Sequence, residues 1–145
     1  MNLEFTATIT AEDYLSFRDA VGWMPLPVQQ AQEGLDHSYV YCLRRDGMPV
    51  ALGRVVWDHG YVVYITDIIV LPEYRGNGYG RMIMDKIMNE IRSWLKPGYK
   101  VMISLLSAHG KEEFYERFGF KKRPYDRFGC GMSQWISSDI SESEV

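Results

Sequence analysis

The sequence has few of the residues, such as cysteine, that hold a fold together through disulfides or bound metal rather than through a packed core. Its 145 residues include 2 cysteines, Cys42 and Cys130, so disulfides do not define the fold, and no metal-type Cys/His spacing surrounds them. We therefore expect no metal. The 16 basic residues do not exceed the 19 acidic ones, and the net charge of -3 counts against nucleic acid as the main partner. This slight acidic excess favours a cationic substrate.

Long hydrophobic runs are also absent. No segment reaches about 18 uninterrupted apolar residues, so we expect no membrane span. The N-terminal residues carry neither a basic run nor a long apolar stretch, which predicts no targeting signal and a cytoplasmic location with reduced thiols. The 46% of hydrophobic residues is enough for a core. We predict one domain over residues 1–136 and a polar flexible tail over 137–145.

The apolar patterns predict an α+β fold, with a mixed, mostly antiparallel sheet flanked by helices. Helices are predicted at residues 10–21, 28–35, 78–95 and 111–118. Strands are predicted at residues 3–10, 38–44, 49–57, 61–70 and 100–106, with one or two more at 120–122 and 129–136. A capping box formed by Thr10 and Asp13 predicts the start of the first helix.

The strand at 61–70 is apolar on both faces, which is typical of a central strand covered on both sides. Simple alternation assigns its residues to two faces: Val62, Tyr64, Ile68 and Val70 on one, and Val63, Ile65 and Ile69 on the other. It should close a meander of three antiparallel strands, and the helical crossover that follows favours a parallel partner at 100–106.

Three glycines, Gly76, Gly78 and Gly80, fall within five residues between this strand and the long helix. Glycine lets the backbone approach a ligand closely, and the free N–H groups of a helix start favour an anion. With Arg75 beside them, they predict a phosphate or pyrophosphate site. The spacing does not say which, because no Lys-Ser/Thr pair completes a P-loop and Arg81 replaces the third glycine of a dinucleotide fingerprint. A purely structural turn is the alternative.

Two segments together resemble a known family. The pattern Arg75-x-x-Gly78-x-Gly80, preceded by Val70-x-Pro72-x-Tyr74, resembles the acyl-CoA signature of the GNAT superfamily of N-acetyltransferases. The segment Phe114-Tyr115-Glu116-Arg117-Phe118-Gly119-Phe120 is similar to the F-Y-x-x-x-G-F block of that superfamily. The two lie in the expected order, and the predicted order of elements is similar to the family over nearly the whole chain.

The resemblance implies a site for acetyl-CoA as the acetyl donor. Backbone amides of the glycine segment would hold the pyrophosphate, which maps onto Arg75, Gly76, Asn77, Gly78, Tyr79 and Gly80. The pantetheine arm would pair like an extra strand with the backbone of Ile68, Ile69 and Val70. Many members carry an asparagine seven residues before the tyrosine of the second block, whereas this chain has Ala108.

Two residues are candidate catalytic groups. Tyr115 matches the family tyrosine that often protonates the departing thiolate, and a phenol is a chemically reasonable acid for that step. Its alternative role is that of a core aromatic. Asp67 lies among apolar neighbours in the central strand, where desolvation would raise its pKa and make it a better base. Its alternative role is that of a carboxylate satisfied by local donors. His109 and Cys130 are weaker candidates for a base and a nucleophile.

The acceptor site is poorly marked. Aromatic or soft residues near the first helices and the strand ends could line it: Trp23, Met24, Tyr39, Tyr41 and Trp57. Core packing is the alternative for each of them. We expect an N-acetyltransferase that moves the acetyl group directly to the amine of a small molecule through a ternary complex. The alternatives are a protein or peptide acetyltransferase and a CoA-binding sensor without turnover. An apolar face on the late strands and first helices could support a homodimer.

Overall fold

The computed structural model describes residues 1–138, and residues 139–145 lie outside it. The chain forms two compact units, Met1–Leu105 and the residues from Leu106 onward. The predicted tail at 137–145 therefore falls almost wholly outside the described residues, and the domain boundary stays a prediction. In the part of the chain described, no helix is long and apolar enough to cross a membrane.

The first unit contains a five-stranded sheet with three helices. The strands are β1 (Leu3–Thr6), β2 (Tyr39–Arg45), β3 (Met48–Trp57), β4 (Val62–Val70) and β5 (Met102–Leu105). The helices are α1 (Ala11–Ala20), α2 (Val28–Asp36) and α3 (Tyr79–Trp94). The strands pair in chain order, and every pair is antiparallel except β4 with β5, which is parallel. The predicted mixed, mostly antiparallel sheet flanked by helices is confirmed.

Local sequence signals account for the helix boundaries. At the start of α1, the Asp13 amide donates a hydrogen bond of 3.1 Å to Thr10 Oγ1, so the predicted cap is present. α3 follows Gly78, whose φ of +78° suits glycine better than any other residue. It buries Ile83, Ile87 and Ile91, which are spaced four residues apart on one side of the helix.

The two faces of the sheet carry different helices. On one face, a Cβ at Gly53 would lie 2.6 Å from Ile83 Cγ2 and 2.8 Å from Ile87 Cδ1, so α3 packs directly on the bare backbone of β3. On the other face, β2, β3 and β4 form an apolar cluster with α1 and α2. The buried members of that cluster are Ile9, Ala11, Tyr14, Phe17, Ala31, Leu35, Val40, Cys42, Leu52 and Ile69.

A β-bulge in β4 corrects the predicted assignment of its faces. The register changes from Leu52 opposite Ile69 to Arg54 opposite Thr66, so β4 holds one residue more than β3 between these pairs. Asp67 lies within the bulge with a φ of +56°. Because the extra residue reverses the alternation, Ile68 points toward α3 and Ile69 toward α1 and α2. Ile69 therefore does not share a face with Val63 and Ile65.

The second unit has little regular structure among its described residues. Its helix α4 (Glu112–Glu116) is shorter than the predicted helix at 111–118 and is followed by Gly119 with a φ of +92°. The strands predicted at 120–122 and 129–136 are wrong, because that described segment forms only one isolated bridge, Tyr125 with Phe128. An alternating sequence becomes a strand only where another backbone pairs with it.

Candidate functional site

The glycine segment is an open loop leading into α3. Gly76 and Gly78 have φ values of +83° and +78°, and an added Cβ at either would meet nothing within 4 Å. Backbone conformation rather than crowding therefore explains these glycines. Asn77 Nδ2 donates a hydrogen bond of 2.8 Å to Tyr74 O, and this bond stabilises the turn. Arg75 is exposed beside it.

The first turn of α3 leaves its amide groups available. Its N-cap is Gly78, and no side chain caps it. Free N–H groups at a helix start and the helix dipole favour a negatively charged group. Tyr79 is only 3% exposed, so its side chain belongs to the core, and only its backbone can contribute to an anion site. The geometry of this loop fits the pyrophosphate that the sequence predicts there.

The second half of β4 has a free edge. β5 pairs with β4 only from Val62 to Ile65. On that side, no strand of the first unit pairs with residues 66–70, although β3 continues to pair with them on the other side. The backbone at Ile68, Ile69 and Val70 can therefore accept an extended ligand as an additional strand. This edge ends six residues before Gly76, so both predicted cofactor elements belong to one continuous segment.

Asp67 is the centre of a buried polar cluster. Its Oδ2 accepts hydrogen bonds from the Tyr14 hydroxyl at 2.6 Å and from Arg54 Nε at 2.9 Å. Its Oδ1 lies 3.7 Å from Arg18 Nη1 and 3.4 Å from Thr66 Oγ1. The Asp67 side chain is 5% exposed. A carboxylate surrounded in this way joins α1 and β3 to the bulge of β4.

These contacts bear on the predicted base. Hydrogen bonds and ion pairs to a carboxylate occupy the lone pairs that would accept a proton. They favour a positioning role for Asp67, and its role as a base stays a prediction. The cluster itself was missed by sequence analysis. Its signal was a pair of opposite charges, Arg54 and Asp67, placed within two neighbouring apolar strands.

Tyr115 lies in α4, where aromatic rings surround it. The rings of Phe114 and Phe120 have centroids 5.0 Å and 6.4 Å from its own, both at nearly perpendicular angles. Burial raises the pKa of Tyr115 to about 12. The phenol therefore keeps its proton throughout the physiological range, although it is a weaker acid than an exposed tyrosine.

The aromatic residues predicted to line an acceptor pocket separate into groups. Tyr39 and Trp57 both pack on Trp94 of α3, at centroid distances of 4.6 Å and 4.9 Å. Trp23 instead lies against Arg18, whose guanidinium carbon is 5.5 Å from a Trp23 ring centroid. Tyr41 is buried, whereas the next residue along from Trp23, Met24, is 48% exposed. The structure thus does not gather all five into one pocket.

Other reactive side chains are dispersed. Cys42 is buried and Cys130 is exposed, and both are free thiols. Within residues 1–138, no group of three or more His, Cys, Asp or Glu side chains could hold a metal ion.

Comparisons with known proteins agree on one family. The family model described as acetyltransferase (GNAT) domain matches residues 36–122. A crystal structure from meticillin-resistant Staphylococcus aureus, described as a protein of unknown function and "Probable Acetyltransferase", is similar at 31% identity. That match has a TM-score of 0.81 and covers 93% of this chain and 100% of the other.

Two plant proteins are also similar. A serotonin N-acetyltransferase of Oryza sativa subsp. japonica is 28% identical over 72% of this chain, and a histone acetyltransferase of Glycine max is 27% identical over 77% of it. This chain spans 52% of the length of each. With a family model matched over more than half of its length, the chain belongs to the GNAT family of acetyltransferases.

Proposed function

We propose that this chain is an acetyl-CoA-dependent N-acetyltransferase that transfers the acetyl group directly to the amine of a small molecule in a ternary complex. The observation that carries the proposal is the free edge of β4 at Ile68–Val70. This edge leads into an open glycine loop, and no side chain caps the helix α3 that follows the loop. The first element suits the amide-bearing pantetheine arm, and the second suits the pyrophosphate.

The chain's own groups would divide the binding of acetyl-CoA between them. Backbone amides from Arg75 to Gly80 would hold the pyrophosphate, and the Arg75 guanidinium would add a positive charge at its edge. The backbone of Ile68 to Val70 would hold the pantetheine arm as a strand. Acetyl-CoA supplies an activated acyl group as a thioester. Because all these contacts are to backbone or one arginine, the loop conformation decides affinity.

The transfer step needs a neutral amine and a proton for the leaving sulfur. The amine nitrogen forms a bond to the thioester carbonyl carbon, the C–S bond breaks, and the sulfur receives a proton from the Tyr115 hydroxyl. The amine loses its surplus proton to solvent. Tyr115 later regains a proton from solvent, so one proton is released and one is taken up. Tyr115 is protonated at neutral pH, as this role requires, and burial raises its pKa further to about 12.

Transfer to a protein amine is a second candidate, favoured by the similarity to a histone acetyltransferase. A CoA-binding sensor without turnover is a third.

A thiol-release assay separates all three. The assay supplies acetyl-CoA with polyamines, amino acids, aminoglycosides, arylalkylamines and peptides as acceptors. Release with small amines supports the proposal, release with peptides alone supports the second, and binding without release supports the third. A cytoplasmic location and a homodimer belong to the proposal as expectations.

The decisive variant is Tyr115→Phe. We expect kcat to fall about 100-fold, since a positioned general acid contributes on the order of 10²–10⁴. KM for acetyl-CoA should change less than about threefold, because the phenol does not hold the cofactor. Tyr125→Phe is the matched control in the same unit and should leave both constants unchanged. If wild-type protein shows no thermal stabilisation by millimolar acetyl-CoA, the proposal is wrong.

A further inference from the structure

Arg18 uses few of its hydrogen-bond donors. Its Nη2 donates to Met24 O at 2.9 Å, and its Nη1 makes only the 3.7 Å ion pair with Asp67 Oδ1. Its Nε has no hydrogen-bond partner among the described residues, although the side chain is only 9% exposed. A buried guanidinium donor without an acceptor is costly, so its presence in a folded core calls for an acceptor supplied from elsewhere.

The charges around Arg18 do not balance. Two guanidinium groups, those of Arg18 and Arg54, face one carboxylate, that of Asp67. The other groups on this carboxylate, the hydroxyls of Tyr14 and Thr66, are neutral. One positive charge is therefore in excess within a buried site, where charges are normally paired.

The excess positive charge belongs to Arg18, because the donors of Arg54 already have acceptors. Arg54 Nε donates to Asp67 Oδ2 at 2.9 Å, and its Nη1 donates to Gly34 O at 3.3 Å and Ser38 Oγ at 3.4 Å. Arg54 thus ties α2 to the bulge. Arg18 has a single hydrogen bond, so an added anion would find its free donors there.

The position of Arg18 relates it to the transfer step. Its ion-pair partner Asp67 directly precedes Ile68, the first of the residues proposed to hold pantetheine. On its other side, the Trp23 ring lies 5.5 Å from the guanidinium carbon, and the neighbouring Met24 side chain is 48% exposed. The guanidinium therefore contacts both the carboxylate next to the proposed cofactor edge and the segment that carries the exposed Met24 side chain.

We propose that Arg18 binds a carboxylate on the acceptor, so that the acceptor is an amino acid or a similar amine with a carboxylate a few bonds from its nitrogen. This inference rests on the proposed function. A carboxylate carries the single negative charge that the cluster lacks, and its planar oxygens match the donors of a guanidinium. The local charge thereby selects an anionic group, although the whole chain has a net charge of -3.

The test measures kcat/KM by thiol release for matched acceptors: amino acids, their carboxamides and the corresponding amines without a carboxylate. Phenylalanine, phenylalaninamide and phenethylamine form one set, and glycine and glycinamide another. We expect wild-type enzyme to prefer the acid at least tenfold in one set. Arg18→Gln should lower kcat/KM for that acid about 10- to 100-fold and for its amide less than threefold. Arg18→Lys should recover part of the loss.

Arg92→Gln is the control, because Arg92 is an exposed arginine on α3 far from this cluster in sequence, and it should leave the preference unchanged. Equal losses for acid and amide in Arg18→Gln would overturn the proposal and leave Arg18 a positioning residue. Acetylation of amines or amides alone by wild-type protein would also overturn it while the proposed function stands. Absence of acetyl-CoA binding would instead refute the proposed function.

Discussion

The two faces of the sheet bury their residues by different means. Toward α3, β3 presents Gly53 and the packing partners are the isoleucines of the helix, so burial there is apolar. Toward α1 and α2, an apolar cluster surrounds Asp67 with its arginines and Tyr14. The apolar face needs only matching volumes, whereas on the polar face two buried guanidinium groups depend on one carboxylate. The polar face is thus where a small change has a large effect.

Removing the central carboxylate should have the largest effect. Asp67→Ala leaves two buried guanidinium groups without their counter-charge, and we expect the free energy of unfolding to fall by about 3–5 kcal/mol. Urea denaturation monitored by circular dichroism measures it. Asp85→Ala is the control, since Asp85 pairs with Arg81 at 3.9 Å on the exposed side of α3 and should cost at most about 0.5 kcal/mol. Equal costs for the two variants would show that the polar face has no special sensitivity.

Tyr14→Phe tests one hydrogen bond of the same cluster. Loss of the 2.6 Å bond to a charged acceptor should lower the free energy of unfolding by about 2 kcal/mol at neutral pH. Burial and then the Asp67 charge raise the pKa of Tyr14 above 10.0, its value in an unfolded chain. The unfolded chain thus loses this proton first as the pH rises.

The contribution of Tyr14 should therefore be complete below pH 10 and decline above it. Denaturation of wild type and Tyr14→Phe at a series of pH values measures that difference. A difference that grows above pH 10 would contradict this sign.

On the apolar face we expect the smallest effect. Gly53→Ala places a methyl group 2.6 Å from Ile83 Cγ2, so the isoleucine side chains or α3 must shift, but alanine also restricts the unfolded chain. The net loss should be about 1 kcal/mol. Gly34→Ala in α2 is the contrasting variant, because its methyl group would lie at an ordinary 3.5 Å from Arg54 Nη1 and should stabilise the helix. Destabilisation of both variants to the same extent would contradict this account of the packing.

Much of the fold could be predicted from local patterns. Three signals are carried by neighbouring residues: the Thr10 cap, the isoleucine spacing of α3 and the turn between β2 and β3. The elements that they mark lie where the pattern placed them. The bulge at Asp67 could not be predicted, because an extra residue in one strand shows only against its partner. The prediction of the late strands was wrong for a similar reason, because an alternating sequence does not by itself provide a neighbouring backbone with which to pair.

The candidate site likewise has one part that could be predicted from the sequence and one part that could not. The glycine loop was predictable because positive φ angles at Gly76 and Gly78 demand a particular residue type at a particular place. The buried polar cluster was not, because it depends on which side chains meet. Tyr14, Arg18, Arg54 and Asp67 come from α1, β3 and β4, and no spacing within the sequence connects them.

The sequence by itself determined the family, the order of the elements and the open glycine loop before α3, because each depends on short stretches of neighbouring residues. It also contained few cysteines, no basic excess and no long apolar run, which indicated a fold held together by a packed core. Only the tertiary structure decided which face of β4 each isoleucine occupies and that a locally positive cluster lies in a chain of net charge -3. Those outcomes depend on pairing register and on contacts between distant residues, which the folded chain alone brings together.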